Sequence, residues 1–523
     1  MGYRGLLLAV GLAVTSAPLA QGQAPNNVNV QVATGVLLFR DFTDLGRRPA
    51  GAPVTVAVTL RFNRENELEP LLSELSDPRS PGYHRFLTPA QFAERFGPTQ
   101  DQVETVVTEL NKAGLQVSSV APNRLIIHAT APSVVAEIFF KTEIHSVRQG
   151  IQGERYLNVT PATLPESLTA LVRDVRLDNL IVAHKMSRRV SIITNTIRGP
   201  ITGPDGGYTP VALAWSFNFP VQHGYDGTGH TAAVIIDSDV ADSDLNSFFS
   251  YFPITRTGSI TRETVDGGAG INGDVDETAL DVETIASLAP GGNVIIYIIP
   301  DLSDQSIDDA ANQIVSDDTA EVVNMSFGGD ENQDKTFEAA LQQGNAQGIT
   351  FVASSGDSGS NGGIVSTPAA EPRVLGVGGT NYTAESNGAY GSETAWSGSG
   401  GGVSQIFTIP SYQKGTPGLA STTHRNVPDI SYPSYYTDTY VSGGWVGLEG
   451  TSWSSPTYVG LQLEINQIHS ERFGLVNANI YPVSESNFHD IAHGSNGEYS
   501  AKKGYDNVTG RGSPRGGELA NSL

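Results

Sequence analysis

Hydrophobic and polar positions alternate along this chain in two regimes. In the first third, helical spacing covers Asn63 to Leu75 and ends near Asp77-Pro78. Pro98-Thr99-Gln100-Asp101 then opens a second helix whose apolar face is Val103, Val106, Val107 and Leu110, with Gly114 as its stop. Alternating runs at Leu115 to Val120 and Arg124 to Ala129 predict paired strands around the turn Pro122-Asn123, and Pro132 to Phe140 predicts a short helix. From Tyr208 the pattern lengthens. Continuous apolar runs at Thr231 to Ile236, Asn293 to Ile299, Val322 to Met325 and Ile349 to Ala353 read as buried strands. Helical segments such as Ile307 to Ile314 and Thr336 to Gly344 fall between them. Strands alternating with helices imply a parallel sheet that binds ligands beyond its carboxyl ends.

Between the regimes, residues 184–206 are rich in Arg, Thr, Gly and Pro with no apolar period, and predict a flexible, exposed, easily cut linker. Residues 1–24 have the layout of a secretory signal, with Arg4, an apolar core from Leu6 to Val14, and the small residues Ala17, Ala20 and Gly22. No other run of 18 apolar residues exists, so the expectation is a soluble, secreted protein with no membrane partner. The divisions are therefore 1–24, a small α+β domain at 25–183, the linker at 184–206, and a large α/β domain at 207–523.

Composition changes the picture in two ways. There are no cysteines, so disulfides, a catalytic thiol and Cys-ligated zinc are excluded. The net charge of −24 is unevenly spread: residues 1–199 carry 20 Lys+Arg against 17 Asp+Glu, and residues 200–523 carry 11 against 38. Either the two halves attract at neutral pH, or the second is solubilised by surface carboxylates. The acidity argues against nucleic acid as a partner.

Candidate chemistry centres on Gly450-Thr451-Ser452-Trp453-Ser454-Ser455-Pro456, where small residues permit a tight turn into a helix start. A serine there is either an N-cap or a nucleophile favoured by the free N–H groups and dipole of the helix. None of the ten histidines has the H-G-T-x-x-A-G setting of a subtilisin base. Glu277-Thr278-Ala279-Leu280-Asp281 stands at the corresponding place instead. Its two carboxylates are one helical turn apart and would share protons if buried; otherwise they form a solvated helix face. Asp357, in Ser354-Ser355-Gly356-Asp357-Ser358-Gly359, follows a strand. It is either an Asx-turn residue or a protonated carboxyl that donates to an oxyanion.

Together these motifs closely resemble the sedolisins, the serine-carboxyl peptidases, in particular their kumamolisin-like members. E-x-x-L-D, S-G-D-S-G and G-T-S-x-S-x-P match that family's three catalytic motifs, and residues 83–98 its activation propeptide. Residues 399–404 and 427–430 are further family-like stretches. The resemblance implies a subtilisin-like fold, a parallel sheet with helices on both faces, preceded by a ferredoxin-like propeptide that inhibits the enzyme intramolecularly. It implies an acid-active endopeptidase acting on proteins and peptides, made as a self-processing zymogen and expected to be monomeric. Ser452 would be the nucleophile, Glu277 the general base, Asp281 its support and Asp357 the oxyanion stabiliser. Asp237 matches a supporting acid that some members carry as Glu, and Phe327 stands where those members have Trp. One Ca²⁺ is implied at Asp490 and Asp506 with the carbonyls of Ile491, Lys502 and Gly504, where Lys502 replaces the usual Gly. The alternative is a catalytically inactive sedolisin-like binding protein.

Overall fold

A computed structural model describes residues 42–190, 202–204, 206–252 and 254–523. The signal segment 1–24 and most of the linker, residues 191–201, lie outside them. The front domain carries a four-stranded antiparallel sheet in the order Gln116–Val120, Ile126–Pro132, Pro53–Leu60, Val172–Arg176. With the helices Gln100–Lys112 and Ser133–Phe140 this is the β-α-β-β-α-β arrangement of a ferredoxin-like unit. A second sheet pairs Phe42–Arg47, Ile144–Gln149 and Glu154–Asn158. The helix Pro89–Arg95, which apolar spacing alone does not reveal, starts from a capping box between Thr88 and Gln91.

The large domain is built on seven parallel strands in the order Ile260–Thr264, Asn293–Ile298, Thr231–Ile236, Val322–Met325, Thr350–Ser354, Val374–Ala384, Ile430–Val441. The antiparallel strand Gly444–Glu449 follows. All six residues of Thr231–Ile236 are buried because helices cover both faces of the sheet, which is why the strand reads as an unbroken apolar run. The helices Val275–Leu288 and Thr451–His469 pack on one face around Val234, Ile285, Tyr458 and Leu461. On the other face Asp304–Asp317 and Lys335–Ala346 pack around Ile235, Ile314 and Phe351.

The front domain docks on this second helical layer. Leu68, Leu72 and Leu75 share a buried cluster with Ala339 and Ala346. The charge asymmetry resolves into ion pairs that run from front-domain cations to large-domain carboxylates. Arg155 pairs with Asp301 at 2.9 Å and Arg173 with Glu338 at 3.0 Å. Arg176, itself buried, lies against Asp304, Asp308 and Asp334.

The expectation of an irregular, exposed segment beginning at residue 184 is corrected. His184–Lys185 pairs antiparallel with Phe327–Asp330, and Arg188–Val190 adds an antiparallel edge strand to Gly444–Glu449. Met186 and Ser187 between them are buried. A lone stretch of this composition has no core of its own, but two sheet edges of the large domain supply the missing hydrogen bonds.

Candidate active site

Ser452 lies in the first turn of the 19-residue helix Thr451–His469, and its side chain is fully buried. Gly450 precedes that turn at φ 148°, and any side chain there would run into the Met186 carbonyl oxygen and Asp357 Oδ2. That close approach is what the glycine is for. Glu277 and Asp281 sit one turn apart on Val275–Leu288, a helix buried over its whole length. The sequence showed one apolar face; the structure buries the opposite face as well.

The polar contacts join these residues into one site. Ser452 Oγ donates to the Ser326 carbonyl at 3.2 Å. Ser326 Oγ donates to Asp281 at 2.7 Å and accepts from Asn324 Nδ2 at 2.9 Å. Glu277 accepts a short hydrogen bond from the Ser187 hydroxyl. No histidine hydrogen-bonds to Ser452 among the described residues. Burial first, and then the Asp281 carboxylate, hold Glu277 well above the usual carboxylate range, against the hydrogen bond from Ser187. Burial raises Asp281 in the same way, so the two carboxyls do not both carry a charge.

Asp357 comes to the same place from the strand end at Ser354. Its Oδ1 accepts the Thr451 N–H at 2.8 Å and the Thr451 hydroxyl at 2.9 Å. Thr451 Oγ1 in turn accepts from Gly356 N–H at 3.1 Å, which fixes the turn. Burial pushes Asp357 up to about 7 despite those donors. With Oδ1 occupied as an acceptor, its proton belongs on Oδ2, the oxygen that faces Met186 beside Gly450.

The segment between the domains completes the arrangement. Met186 N–H donates to the same Ser326 carbonyl as the Ser452 hydroxyl, at 3.1 Å, and the Met186 carbonyl accepts the Ser452 N–H at 3.0 Å. Asp237 does not join this network: its Oδ1 is buried without a hydrogen-bond partner, and the charges acting on it are Asp274, Asp301 and Lys185. Burial nonetheless takes it to about 6. Thr451 sat inside a motif visible in the sequence, whereas Ser326, Met186 and Ser187 carried no signal as site residues.

The matches to known proteins follow this layout. Residues 40–180 match the model for the pro-kumamolisin activation domain, and residues 267–467 that for the subtilase family. Sedolisin from Pseudomonas sp. (strain 101) is 30% identical, over 97% of this chain and 93% of its own. The chain belongs to the sedolisin family. Kumamolisin from Bacillus sp. (strain MN-32) is 29% identical over 90% of this chain and 91% of its own. A crystal structure of Pseudomonas sedolisin, a serine-carboxyl proteinase complexed with two molecules of pseudo-iodotyrostatin, superimposes with a TM-score of 0.54 at 29% identity. It covers 60% of this chain and 97% of that one. This sedolisin-family chain is a serine-type peptidase with an activation propeptide.

At the far end of the chain, Asp490 and Asp506 meet one turn. Gly504 N–H donates to Asp490 at 3.0 Å, and Lys502 N–H to Asp506 at 3.0 Å. Asp506 also accepts the N–H groups of Val508 and Thr509. Lys502 has an ordinary backbone φ, and its ammonium turns away to the Gly418 carbonyl at 2.9 Å. Asp490 is exposed, and Asp490 and Asp506 both accept backbone N–H groups of this turn; their carboxylates and the carbonyls of Ile491, Lys502 and Gly504 are oxygens of the type calcium takes.

Proposed function

We propose that this protein is a secreted, acid-active serine-carboxyl endopeptidase that processes its own precursor. Ser452 attacks the substrate carbonyl and Glu277, ionised through its shared proton with Asp281, takes the hydroxyl proton. Asp281 holds Glu277 in place and spreads its charge. Asp357, protonated, donates from Oδ2 to the developing oxyanion together with the Ser452 N–H. Glu277 then returns its proton to the leaving amine. A carboxylate base and a carboxylic-acid donor work together only where the first is charged and the second is neutral; once the propeptide leaves and water reaches Glu277, its burial-raised pKa falls back toward the carboxylate range and that window opens at acid pH.

One observation supports this reading: a buried carboxylate pair linked to Ser452 through Ser326, with no histidine bonded to that serine among the described residues. Secretion is supported by the N-terminal pattern of Arg4, the apolar core and small residues. No described helix is long and apolar enough to cross a membrane. We also assign Ca²⁺ to Asp490 and Asp506, with carbonyls of Ile491, Lys502 and Gly504, where it would pin the C-terminal turn. The decisive experiment measures cleavage of a denatured protein substrate at about pH 4 and pH 7.5, with Ser452→Ala and Glu277→Gln beside the wild type. Activity at acid pH that both variants lose supports the reading. Activity confined to neutral pH, or surviving in Glu277→Gln, overturns it.

A further inference from the structure

Residues 184–190 do more than cover the site, because they lie across it as an extended strand with a defined peptide bond at the nucleophile. Met186 is bracketed on both sides: its N–H donates to the Ser326 carbonyl and its carbonyl accepts the Ser452 N–H. The next residue's hydroxyl reaches Glu277. The Ser452 hydroxyl and the Met186 N–H share one acceptor, and the Ser452 N–H holds the Met186 carbonyl, so the nucleophile's residue and Met186 are tied together at two points. The Met186 carbonyl oxygen and Asp357 Oδ2 crowd the same point next to Gly450. No other peptide bond of the described chain is held by this set of groups.

The flanking side chains are held as deliberately. The Met186 methyl lies over Gly328, where a Cβ would come within 2.9 Å of it and would collide with Ser366 Oγ. Lys185 donates to Asp276 at 2.7 Å and pairs with Asp274 at 3.1 Å. Arg189 meets the other Asp276 oxygen at 3.2 Å, and Arg188 meets Glu449 at 2.5 Å. Asp276 and Glu449 are both buried in this state. Among the described residues, every cation paired with Asp274, Asp276 or Glu449 comes from residues 185–189. When that strand leaves, three carboxylates face the cleft without counter-ions.

We propose that Met186–Ser187 is the bond this zymogen cuts in itself, and that the residues around it define the substrate class of the mature enzyme. The class is an extended peptide with an unbranched apolar residue before the cut and basic residues on both sides. Asp274 and Asp276 read the basic residue before the apolar one, Glu449 reads the second residue after the cut, and Asp276 reads the third. In the cleavage, Ser452 Oγ bonds to the Met186 carbonyl carbon as its proton passes to Glu277. The Met186–Ser187 C–N bond then breaks, and that proton goes to the Ser187 nitrogen. Water hydrolyses the ester to a free Met186 carboxylate and restores Ser452. A charge-assisted contact in a partly buried cleft is worth about a tenfold change in kcat/KM.

This inference rests on the Ser452 reading proposed above, and its test separates the two. The full-length precursor is brought to about pH 4, and the earliest fragments are mapped by N-terminal sequencing and intact mass, with Ser452→Ala as control. The expected products are a propeptide ending at Met186 and a chain beginning at Ser187, absent in Ser452→Ala. Mature enzyme is then given the peptide of residues 183–190 and versions with Lys185, Arg188 or Arg189 changed to Glu. Cleavage after Met is expected, with each reversal lowering kcat/KM about tenfold, and Asp276→Asn abolishing the effect at Arg189 and reducing it at Lys185, which keeps Asp274. Ser452-dependent first cleavage at another bond, or reversals that change kcat/KM less than twofold, overturns the inference while leaving the nucleophile in place. Cleavage at Met186–Ser187 that persists in Ser452→Ala overturns both.

Discussion

Replacing Asp357 with alanine removes the side-chain donor to the oxyanion and leaves the Ser452 N–H alone. The structure makes the loss specific, because Thr451 occupies Oδ1 twice and Gly450 leaves Oδ2 facing the carbonyl that stands for the substrate. A donor of this kind is worth about 3 kcal/mol of barrier, or 10²–10³ in kcat. Asp357→Asn keeps an oxygen at the Oδ1 position and puts an N–H where Oδ2 was, so it should recover part of that loss. The pH profile distinguishes the two further. Burial raises Asp357 to about 7, so the neutral, donating form persists below that value and is lost as pH rises through it. Once the propeptide leaves, the carboxyl is better solvated, so the alkaline limb of kcat falls at or below about 7. The assay is kcat for a fluorogenic peptide across pH 3–8 with mature wild type, Asp357→Ala and Asp357→Asn. The expected outcome is an alkaline limb in the wild type that flattens in Asp357→Asn, with Asp357→Ala depressed throughout. A loss below threefold in Asp357→Ala, or wild-type kcat that climbs between pH 6 and 8, would refute the assignment.

Three other outcomes follow from the same contacts. His84 packs its imidazole against Tyr83, Phe86 and Phe473 with both ring nitrogens buried and Nδ1 3.4 Å from the Glu471 carboxylate. Burial lowers its pKa against the pull of Glu471, so propeptide docking gains from it above the free imidazole value and loses that gain as pH falls. In the uncleavable Ser452→Ala background, His84→Phe should move acid-induced protease sensitivity of the propeptide down by about half a pH unit or more; an unmoved midpoint contradicts this. Arg425 and Asp429 form a fully buried pair at 2.6 Å, and Asp429→Ala, by stranding the guanidinium, should cost about 3–5 kcal/mol in urea unfolding; a change under 1 kcal/mol contradicts it. Adding a calcium chelator to the mature enzyme should lower its Tm by several degrees, and Asp490→Asn should remove that response; equal Tm with and without chelator rejects the site.

The carboxylates at the propeptide contacts do not all act with the same sign as pH falls. Burial raises Asp174 and Asp304, near Arg176, to about 7. A raised carboxylate favours the docked state at low pH, and that contribution is lost as pH rises through about 7. The depressed groups carry the opposite sign: Asp301, paired with Arg155, and Asp276, paired with Lys185, together with the buried histidines His84 and His184, all lose their contribution as pH falls.

What the sequence disclosed followed from how each residue is held. Thr231–Ile236 was legible because a strand covered on both faces leaves no polar position to blur it. Glu277, Asp281, Asp357 and Ser452 stood out through local motifs, and the fold brings their elements to one sheet edge. Ser326 and Asn324, which anchor Asp281, were illegible as site residues because their role depends on a helix 45 positions away in sequence. The strand through Met186 was missed for a related reason. Its hydrogen bonds go to Ser326 and to strand Gly444–Glu449, and nothing in its own composition records those partners.

The most direct test of a serine activated by a carboxylate is covalent labelling of the mature enzyme at acid pH. A fluorophosphonate probe is added at about pH 4 and the modified peptide identified by mass spectrometry, with Glu277→Gln treated alongside. The account predicts a single adduct on Ser452, formed at a rate that drops about 10²-fold or more in Glu277→Gln. An adduct elsewhere, or equal labelling rates in the two proteins, would contradict it.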